Sequence, residues 1–403
     1  MTERSLIARL PRWPLIPLAV FALSRVVDTL ILLGLKSMET TDPHFLNWLG
    51  IVPIQVQPRT YANITTNWDG QWYELIAKHL YPHSLSTYPG GAVVQNQWAF
   101  YPGFPMLCRP LMEMGLSFAV SAMVVNLIAG AIGCCLLYAL VRTTGSRFTA
   151  TMAVVGFCFF PTAFVLQAAY SEALAFALIV GALLALNRRR YGWFMACTIA
   201  LSLTRPVALP LAAVVALHGL IRWVRRDKEP FEFNERLTVV AATATALLSF
   251  GVWPLIAAVV TGRIDAYWVT ARTWTSDGHW VSWVSETAHI GGQGVMLFTV
   301  AIVLALAAIL TQRGARAWPD ELRLWSGMYV LYLLATTRVT PSITRYLMLA
   351  IIPGWPLPDV SERRLPVPVQ VLIGLALAGA GILVQIGWVG SNFVVGPDWR
   401  GYP

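Results

Sequence analysis

Residues 117–141 read SFAVSAMVVNLIAGAIGCCLLYALV, with no Asp, Glu, Lys, Arg or His, and Arg142 follows at once. A helix of that length rises about 37 Å, enough to cross a hydrocarbon core of about 30 Å. A basic residue directly after an apolar span is the mark of a cytoplasmic boundary. The pattern recurs along the chain, so the expected fold is an all-α polytopic membrane protein. Composition agrees: 57% of the 403 residues are hydrophobic and 12% are charged, against roughly 25% charge in soluble domains.

Working outward from this span, about eleven transmembrane helices are expected. They fall at approximately 14–35, 117–141, 148–168, 171–187, 191–204, 206–221, 237–260, 293–311, 322–337, 344–360 and 366–388. Segment 100–116 is apolar but interrupted by proline and glycine, and reads as a loop or re-entrant element. The break at Thr204-Arg205-Pro206 leaves open whether 191–221 is one bent helix or two spans. The first apolar segment is long and has no small-residue cleavage site, so it reads as a retained span.

The net charge of +9 follows membrane topology and does not mark a nucleic-acid partner. With the N-terminus in the cytoplasm, the inner loops collect Arg4, Arg9, Arg12, Arg142, Arg147, Arg188, Arg189 and Arg190. Arg222, Arg225, Arg226, Lys228, Arg236, Arg313, Arg316, Arg323, Arg363 and Arg364 join them. That is about eighteen of the 29 basic residues, a bias that sets the N-in orientation. The long outer segment 37–116 and the outer aromatic loop 261–292 then share one face with Tyr170-Ser171-Glu172, Thr204-Arg205-Pro206 and the stretch from Arg338 to Arg345. The inner loops contain no glycine-rich phosphate cradle. A site for a soluble nucleotide donor is not expected there.

Five cysteines, Cys108, Cys134, Cys135, Cys158 and Cys197, lie in or beside apolar segments. None has zinc-ligand spacing, and adjacent Cys134 and Cys135 read as small packing residues. Asn63-Ile64-Thr65 matches a glycosylation sequon, which has meaning only in a eukaryotic secretory compartment.

On the outer face, Asn67-Trp68-Asp69-Gly70-Gln71-Trp72-Tyr73 places one carboxylate among aromatics. Trp68, Trp72, Leu75, Ile76 and His79 recur at helical spacing, which predicts an amphipathic helix at the headgroup boundary. Asp69 fits two roles: a first-turn acid favoured by the helix dipole, or a general base for an acceptor hydroxyl. No second acid adjoins it, so a paired-carboxylate hydrolase is poorly supported. Phe100-Tyr101-Pro102-Gly103-Phe104-Pro105 cannot continue an ordinary helix; it reads as an aromatic belt or as a loop ordered over the acid.

Glu172 opens an apolar span, either as a first-turn acid behind a Ser171 cap or as a group that orients a sugar hydroxyl or joins an optional metal site. Arg205 sits at a helix break, where it either snorkels or serves as a phosphate ligand. Arg338 and Arg345 bracket a proline turn and could hold a lipid phosphate and neutralise a leaving group. Loop 261–292 gathers Trp274, His279, Trp280 and Trp283 with Asp265, Asp277, Glu286 and His289, a composition suited to a sugar surface.

Taken together, Trp68-Asp69-Gly70-Gln71-Trp72-Tyr73, Phe100-Tyr101-Pro102-Gly103-Phe104-Pro105, Tyr170-Ser171-Glu172-Ala173-Leu174, Leu203-Thr204-Arg205-Pro206 and Thr344-Arg345-Tyr346-Leu347 resemble the mannosyltransferases of PIG-V type. Those enzymes belong to the integral-membrane glycosyltransferases of the C fold, and the motifs follow in order across residues 67–350. The resemblance implies that residues 1–403 form one transmembrane glycosyltransferase domain. It also implies a polyprenyl-phosphate sugar donor, mannose as the sugar, inversion at the anomeric carbon, and an essential acid that maps onto Asp69. Arg205, Arg345 and Arg338 would then bind the donor phosphate, while Trp68, Trp72, Tyr101, Glu172, His279 and Trp280 shape the sugar and acceptor site. No cofactor is expected; a divalent metal is unsupported because the adjacent acid pair of many C-fold enzymes is missing. The arginine-rich inner loops are of a bacterial kind, which places the site on the extracytoplasmic face of a bacterial plasma membrane. Acceptors open to it are a glycolipid, a polysaccharide or a protein. Two other readings remain: a flippase for lipid-linked sugars, and a noncatalytic subunit of a glycosylation complex.

Overall fold

The computed structural model describes residues 14–39, 60–274, 304–311, 315, 318–337, 342–351 and 365–394. Arg338, His279 and Trp280 lie outside the described residues, as do most of the 261–292 loop and much of the expected spans at 293–311 and 344–360.

The described chain is helical. It runs α1 (Leu15–Leu35), α2 (Asp69–His79), α3 (Gly103–Glu113), α4 (Phe118–Val141), α5 (Arg147–Cys158) and α6 (Glu172–Asn187). There follow α7 (Tyr191–Ser202), α8 (Ala208–Val224), α9 (Phe233–Thr261), α10 (Ala266–Ala271), α11 (Asp320–Thr336), α12 (Ser342–Met348) and α13 (Val367–Trp388). Among the described residues, four helical stretches are long and apolar enough to cross a membrane unaided: Leu15–Met38, Phe118–Val141, Phe233–Thr261 and Val367–Phe393. The opening stretch is the second of these. Ser117 caps it by accepting a hydrogen bond from the Val120 amide at 3.4 Å.

Two expectations change and one open point closes. The span expected at 148–168 is broken: α5 ends at Cys158, and a short 3-10 turn over Ala163–Leu166 follows. Pro161 is the cause, because the residue before a proline is driven out of the helical region. At twelve residues, α5 rises only about 18 Å, too little to cross alone. Segment 191–221 is two helices, α7 and α8, separated by the Thr204-Arg205-Pro206 break. Segment 100–116 is not simply a loop. The Phe100-Tyr101-Pro102 stretch is non-helical, but α3 begins at Gly103. Pro105 falls in its first turn, where a missing amide donor costs no intrahelical bond.

The break in α5 explains a buried charge pair that hydropathy conceals. A helix end leaves carbonyls without intrahelical donors, and lipid supplies none. Arg25 of α1 provides them, donating to the Cys158 carbonyl at 3.2 Å and the Ala163 carbonyl at 2.9 Å. Asp28, one turn along α1, balances the guanidinium at 2.7 Å, and both are buried.

Close approach of α4 and α6 builds the centre of the bundle. A Cβ at Gly133 would come within 2.4 Å of the Phe176 ring, and Phe176 in turn stacks on Phe157 with centroids 3.6 Å apart. Small residues at such contacts let helices pack closely in lipid. Helix α6 also separates two polar zones. Its last residue, Asn187, donates to Glu321, which meets His218 at 3.0 Å. Nearby, Arg222 pairs with Glu229 and Glu235, Tyr191 donates to Glu235 and Arg225 pairs with Asp320. Glu172 begins the helix at the opposite end.

Helix α2 carries the aromatic face expected of it, but protein covers that face. Trp72, Tyr73, Ile76 and Ala77 are buried with Phe100, Phe104, Cys108, Phe118 and Ala122. Glu74 pairs with Lys78 at 2.6 Å on the outer side, and His79 is exposed. Docking against α3 and α4 therefore fixes the start of α2, which carries Asp69.

Candidate active site

The chain reaches Asp69 through a constrained turn. Trp68, at the N-terminus of α2, adopts φ 60 and ψ −115, a region that costs an L-residue about 1–2 kcal/mol. Tertiary contacts hold it there. The buried Trp68 indole N–H donates to the Phe393 carbonyl at 3.0 Å, and the Asn67 side-chain amide donates to the same carbonyl at 3.2 Å. Tyr170 donates to the Asn67 carbonyl at 3.3 Å, while the Ala169 amide donates to the Thr65 carbonyl at 2.8 Å. Gly70 admits this contact, since a Cβ there would lie 3.1 Å from that of Ala169. Asp69 is thus positioned by the C-terminal π turn Val389–Phe393 and by residues 168–170.

Four charged side chains from four parts of the chain meet at this point. Arg345 of α12 reaches Asp69 Oδ2 through Nη1 at 2.5 Å and Glu172 Oε1 through Nε at 3.3 Å. Arg205, from the α7–α8 break, reaches the same Glu172 oxygen through Nη1 at 2.7 Å. Side-chain exposure separates their roles: Glu172 is 1% exposed, Arg345 3%, Arg205 13% and Asp69 30%. The site is therefore a buried carboxylate, two guanidiniums above it and one accessible acid at the rim. Buried charges require such pairing, because isolated ions in a low-dielectric interior are costly.

Aromatic rings and hydroxyls complete the shell. Tyr346 lies beneath both guanidiniums, with Arg205 at 5.2 Å and Arg345 at 5.1 Å from its ring centre, and Arg345 is 4.7 Å from that of Tyr170. Such cation–π contacts favour a desolvated guanidinium. Ser171 does not cap α6 with its side chain. Its hydroxyl instead accepts from Tyr73 at 3.0 Å and from Arg205 Nη1 at 3.3 Å. Burial pushes the Tyr73 hydroxyl well above the usual tyrosine range, so it stays protonated and remains a donor to Ser171.

The α7–α8 break is held against α3 at Gly103. Its amide donates to the Leu203 carbonyl at 2.6 Å, and a Cβ would come within 2.7 Å of that oxygen and of Thr204 Oγ1. Only glycine allows this approach, which is how the Pro102-Gly103 step sets the position of Arg205 two residues beyond.

The structure thus brings together Asp69, Glu172, Arg205 and Arg345. The described aromatic residues of the expected sugar site, Trp68, Trp72 and Tyr101, are themselves packed inside the protein. Trp72 stacks on Phe100 at 5.6 Å, and Trp274 meets both rings edge-on at 5.5 Å. Tyr101 is buried, with its hydroxyl donating to Tyr267 at 3.0 Å, and Trp68 is buried in the turn already described. Glu172 lies beneath the guanidiniums. Tyr73, Tyr170, Ser171 and Tyr346 were not singled out by sequence as parts of the charged centre. Tyr73 stands four residues after Asp69 on one helix face, a spacing that could have flagged it.

Among the described residues no group of three His, Cys, Asp or Glu side chains has the arrangement of a metal site. The two carboxylates present, Asp69 and Glu172, each face a guanidinium. Chemically, the arrangement offers a carboxylate open to an incoming hydroxyl beside a cationic floor suited to an anion.

No family model matches the chain, and no curated protein matches it significantly. Among solved structures it is similar to the oligosaccharyltransferase of Archaeoglobus fulgidus in complex with an inhibitory peptide and a dolichol-phosphate. That match has 11% identity, a TM-score of 0.45, and covers 96% of this chain and 56% of that one. A second oligosaccharyltransferase structure from the same organism, with zinc and sulfate, gives 14% identity and a TM-score of 0.40 over 95% and 53% of the two chains. An apo form gives 14% and 0.39 over 96% and 56%. This chain spans about half the length of these structures.

Proposed function

We propose that this protein is an inverting membrane glycosyltransferase of the C fold, acting on a sugar carried by a polyprenyl phosphate. The observation that carries the reading is one rim carboxylate, Asp69, set beside the buried guanidiniums of Arg205 and Arg345. An acceptor hydroxyl gives its proton to Asp69 as its oxygen bonds to the anomeric carbon. The bond from that carbon to the phosphate oxygen breaks on the opposite side, and the departing polyprenyl phosphate takes the electron pair. The cationic floor, at its Arg205 end, stabilises the charge that develops there. The ion pair with Arg345 engages Oδ2, so Oδ1 is the oxygen we assign to the proton.

Mannose is the sugar by the resemblance to enzymes of PIG-V type, and the extracytoplasmic face of a bacterial plasma membrane is the proposed location. The acceptor is a glycolipid, polysaccharide or protein hydroxyl. The step as written requires no metal.

The test is transfer from radiolabelled polyprenyl-phosphate mannose by the purified full chain in lipid, against Asp69→Asn. Loss of a general base lowers turnover by about 10²–10⁴-fold. A fully active Asp69→Asn protein that inserts normally would overturn the base assignment. Movement of lipid-linked sugar across vesicles without a new glycosidic bond would instead favour a flippase.

A further inference from the structure

The two arginines at the site are not equivalent. The two terminal nitrogens of the Arg345 guanidinium are both occupied, Nη1 by Asp69 at 2.5 Å and Nη2 by the Tyr346 hydroxyl at 3.4 Å, and its Nε stands 3.3 Å from Glu172. Its side chain is 3% exposed. The contacts of Arg205 with Glu172 and Ser171 both run through Nη1. The Nε atoms of both arginines are buried without a hydrogen-bond partner among the described residues, so the difference between them lies at the terminal nitrogens and in exposure. The Arg205 side chain is the more open of the two, at 13%.

We infer that the arginines divide the work, with Arg205 taking the donor phosphate and Arg345 aiming the Asp69 carboxylate. Contacts confined to Nη1 and the more open side chain give Arg205 a free edge for a phosphate oxygen. A planar guanidinium presents its donors in a fixed fork, so an edge left open is a preformed acceptor site. Arg345 is held by Glu172 on one side and Tyr346 on another, which fixes the direction of Nη1. That direction fixes Asp69 Oδ2, so rotation of the carboxylate is restrained while Oδ1 remains for the acceptor. Arg345 is a positioning residue acting through Asp69. Glu172 holds both arginines through one oxygen and keeps the two functions in register. The division rests on the glycosyltransferase reading above.

Two measurements on the purified full chain in lipid nanodiscs test it separately. The first is binding of polyprenyl phosphate, the leaving group, followed by thermal shift. Arg205→Gln should weaken it at least tenfold, whereas Arg345→Gln and Asp69→Asn should leave it within threefold of wild type. The second is turnover. Arg345→Gln should lower kcat at least 30-fold with the donor KM within threefold, and Arg205→Gln should raise the donor KM. The double variant Asp69→Asn/Arg345→Gln should be no slower than Asp69→Asn alone, because residues acting as a unit are not additive.

Should Arg345→Gln elute as aggregate, Arg345→Lys carries the test: lysine keeps the charge but not the fork, so kcat falls while phosphate affinity holds. Equal weakening of phosphate binding by Arg205→Gln and by either Arg345 variant would overturn the division. So would unchanged binding in Arg205→Gln. A wild-type protein that turns over no donor refutes the transferase reading instead, and the binding arm still decides which arginine takes phosphate.

Discussion

Glu172→Gln is the substitution whose cost follows most directly from the site. Gln keeps the shape of the side chain and removes its charge, leaving two buried guanidiniums without their shared counter-ion. At an effective dielectric of about 20, the contacts of 2.7 and 3.3 Å correspond to gross attractions of about 6 and 5 kcal/mol. Desolvating the carboxylate offsets several kcal/mol of that sum. Removing one member of a buried pair typically costs about 3–5 kcal/mol, a large part of a usual stability of roughly 5–15 kcal/mol. Asp69→Asn provides the internal comparison. Its side chain is 30% exposed, and Arg345 keeps Glu172 after the change, so the expected cost is about 1 kcal/mol or less. Thermal unfolding followed by size-exclusion chromatography in detergent is the assay. Glu172→Gln should lower the midpoint by on the order of 5 °C or more, with transfer activity falling as both arginines lose their anchor. A Glu172→Gln protein that melts with wild type, or an Asp69→Asn protein that is the less stable of the two, would refute the description of Glu172 as the shared buried counter-ion of the two guanidiniums.

Other expectations follow from contacts that hold the site in place. Gly103→Val sets a side chain against the Leu203 carbonyl, with its Cβ within 2.7 Å, and should cost about 1–3 kcal/mol while raising the donor KM as Arg205 shifts; unchanged kinetics in a folded variant would count against that route. Trp68→Phe removes the donor to the Phe393 carbonyl, should cost about 1 kcal/mol, and should lower kcat by loosening the turn before Asp69. Arg25→Met leaves the Cys158 and Ala163 carbonyls without their donor and Asp28 without its counter-ion, at about 3–5 kcal/mol. Adding Asp28→Leu to Arg25→Met should recover part of that loss in the same melting assay, and no recovery would contradict the pairing.

Charge asymmetry and five short motifs were enough to place Asp69, Glu172, Arg205 and Arg345 on one face, and these four do meet. What those signals lack is pairing. Glu172 precedes Arg205 by 33 residues and Arg345 by 173, so its role depends on how α6, the α7–α8 break and α12 pack. The sequence leaves Glu172 open as a first-turn acid, a group that orients a sugar hydroxyl or part of an optional metal site, and its pairing with two guanidiniums is visible only once these elements pack. Hydropathy averaged over a span also hides charges that satisfy each other, which is why Arg25 and Asp28 passed unnoticed inside α1. The end of α5 is legible in the sequence at Pro161, which stands inside the apolar span expected at 148–168. Pro105 shows the opposite limit, since a proline in the first turn costs no intrahelical bond, and Pro110 and Pro254 even stand inside α3 and α9.

The two breaks marked by Pro161 and Pro206 lead to a common structural point. At Pro161 the chain breaks inside the bundle, and Arg25 supplies donors to the exposed carbonyls. At Pro206 it breaks again, and Arg205 stands in that break with a buried Nε that no described residue accepts from. One interruption is closed internally by an arginine, while the other presents an arginine with an edge left open. Non-helical backbone at membrane depth persists where protein or a cavity receives its polar groups. The first break satisfies that condition through α1. For the second, the donor phosphate proposed to bind beside Asp69 would complete the hydrogen bonding that the fold leaves unfinished.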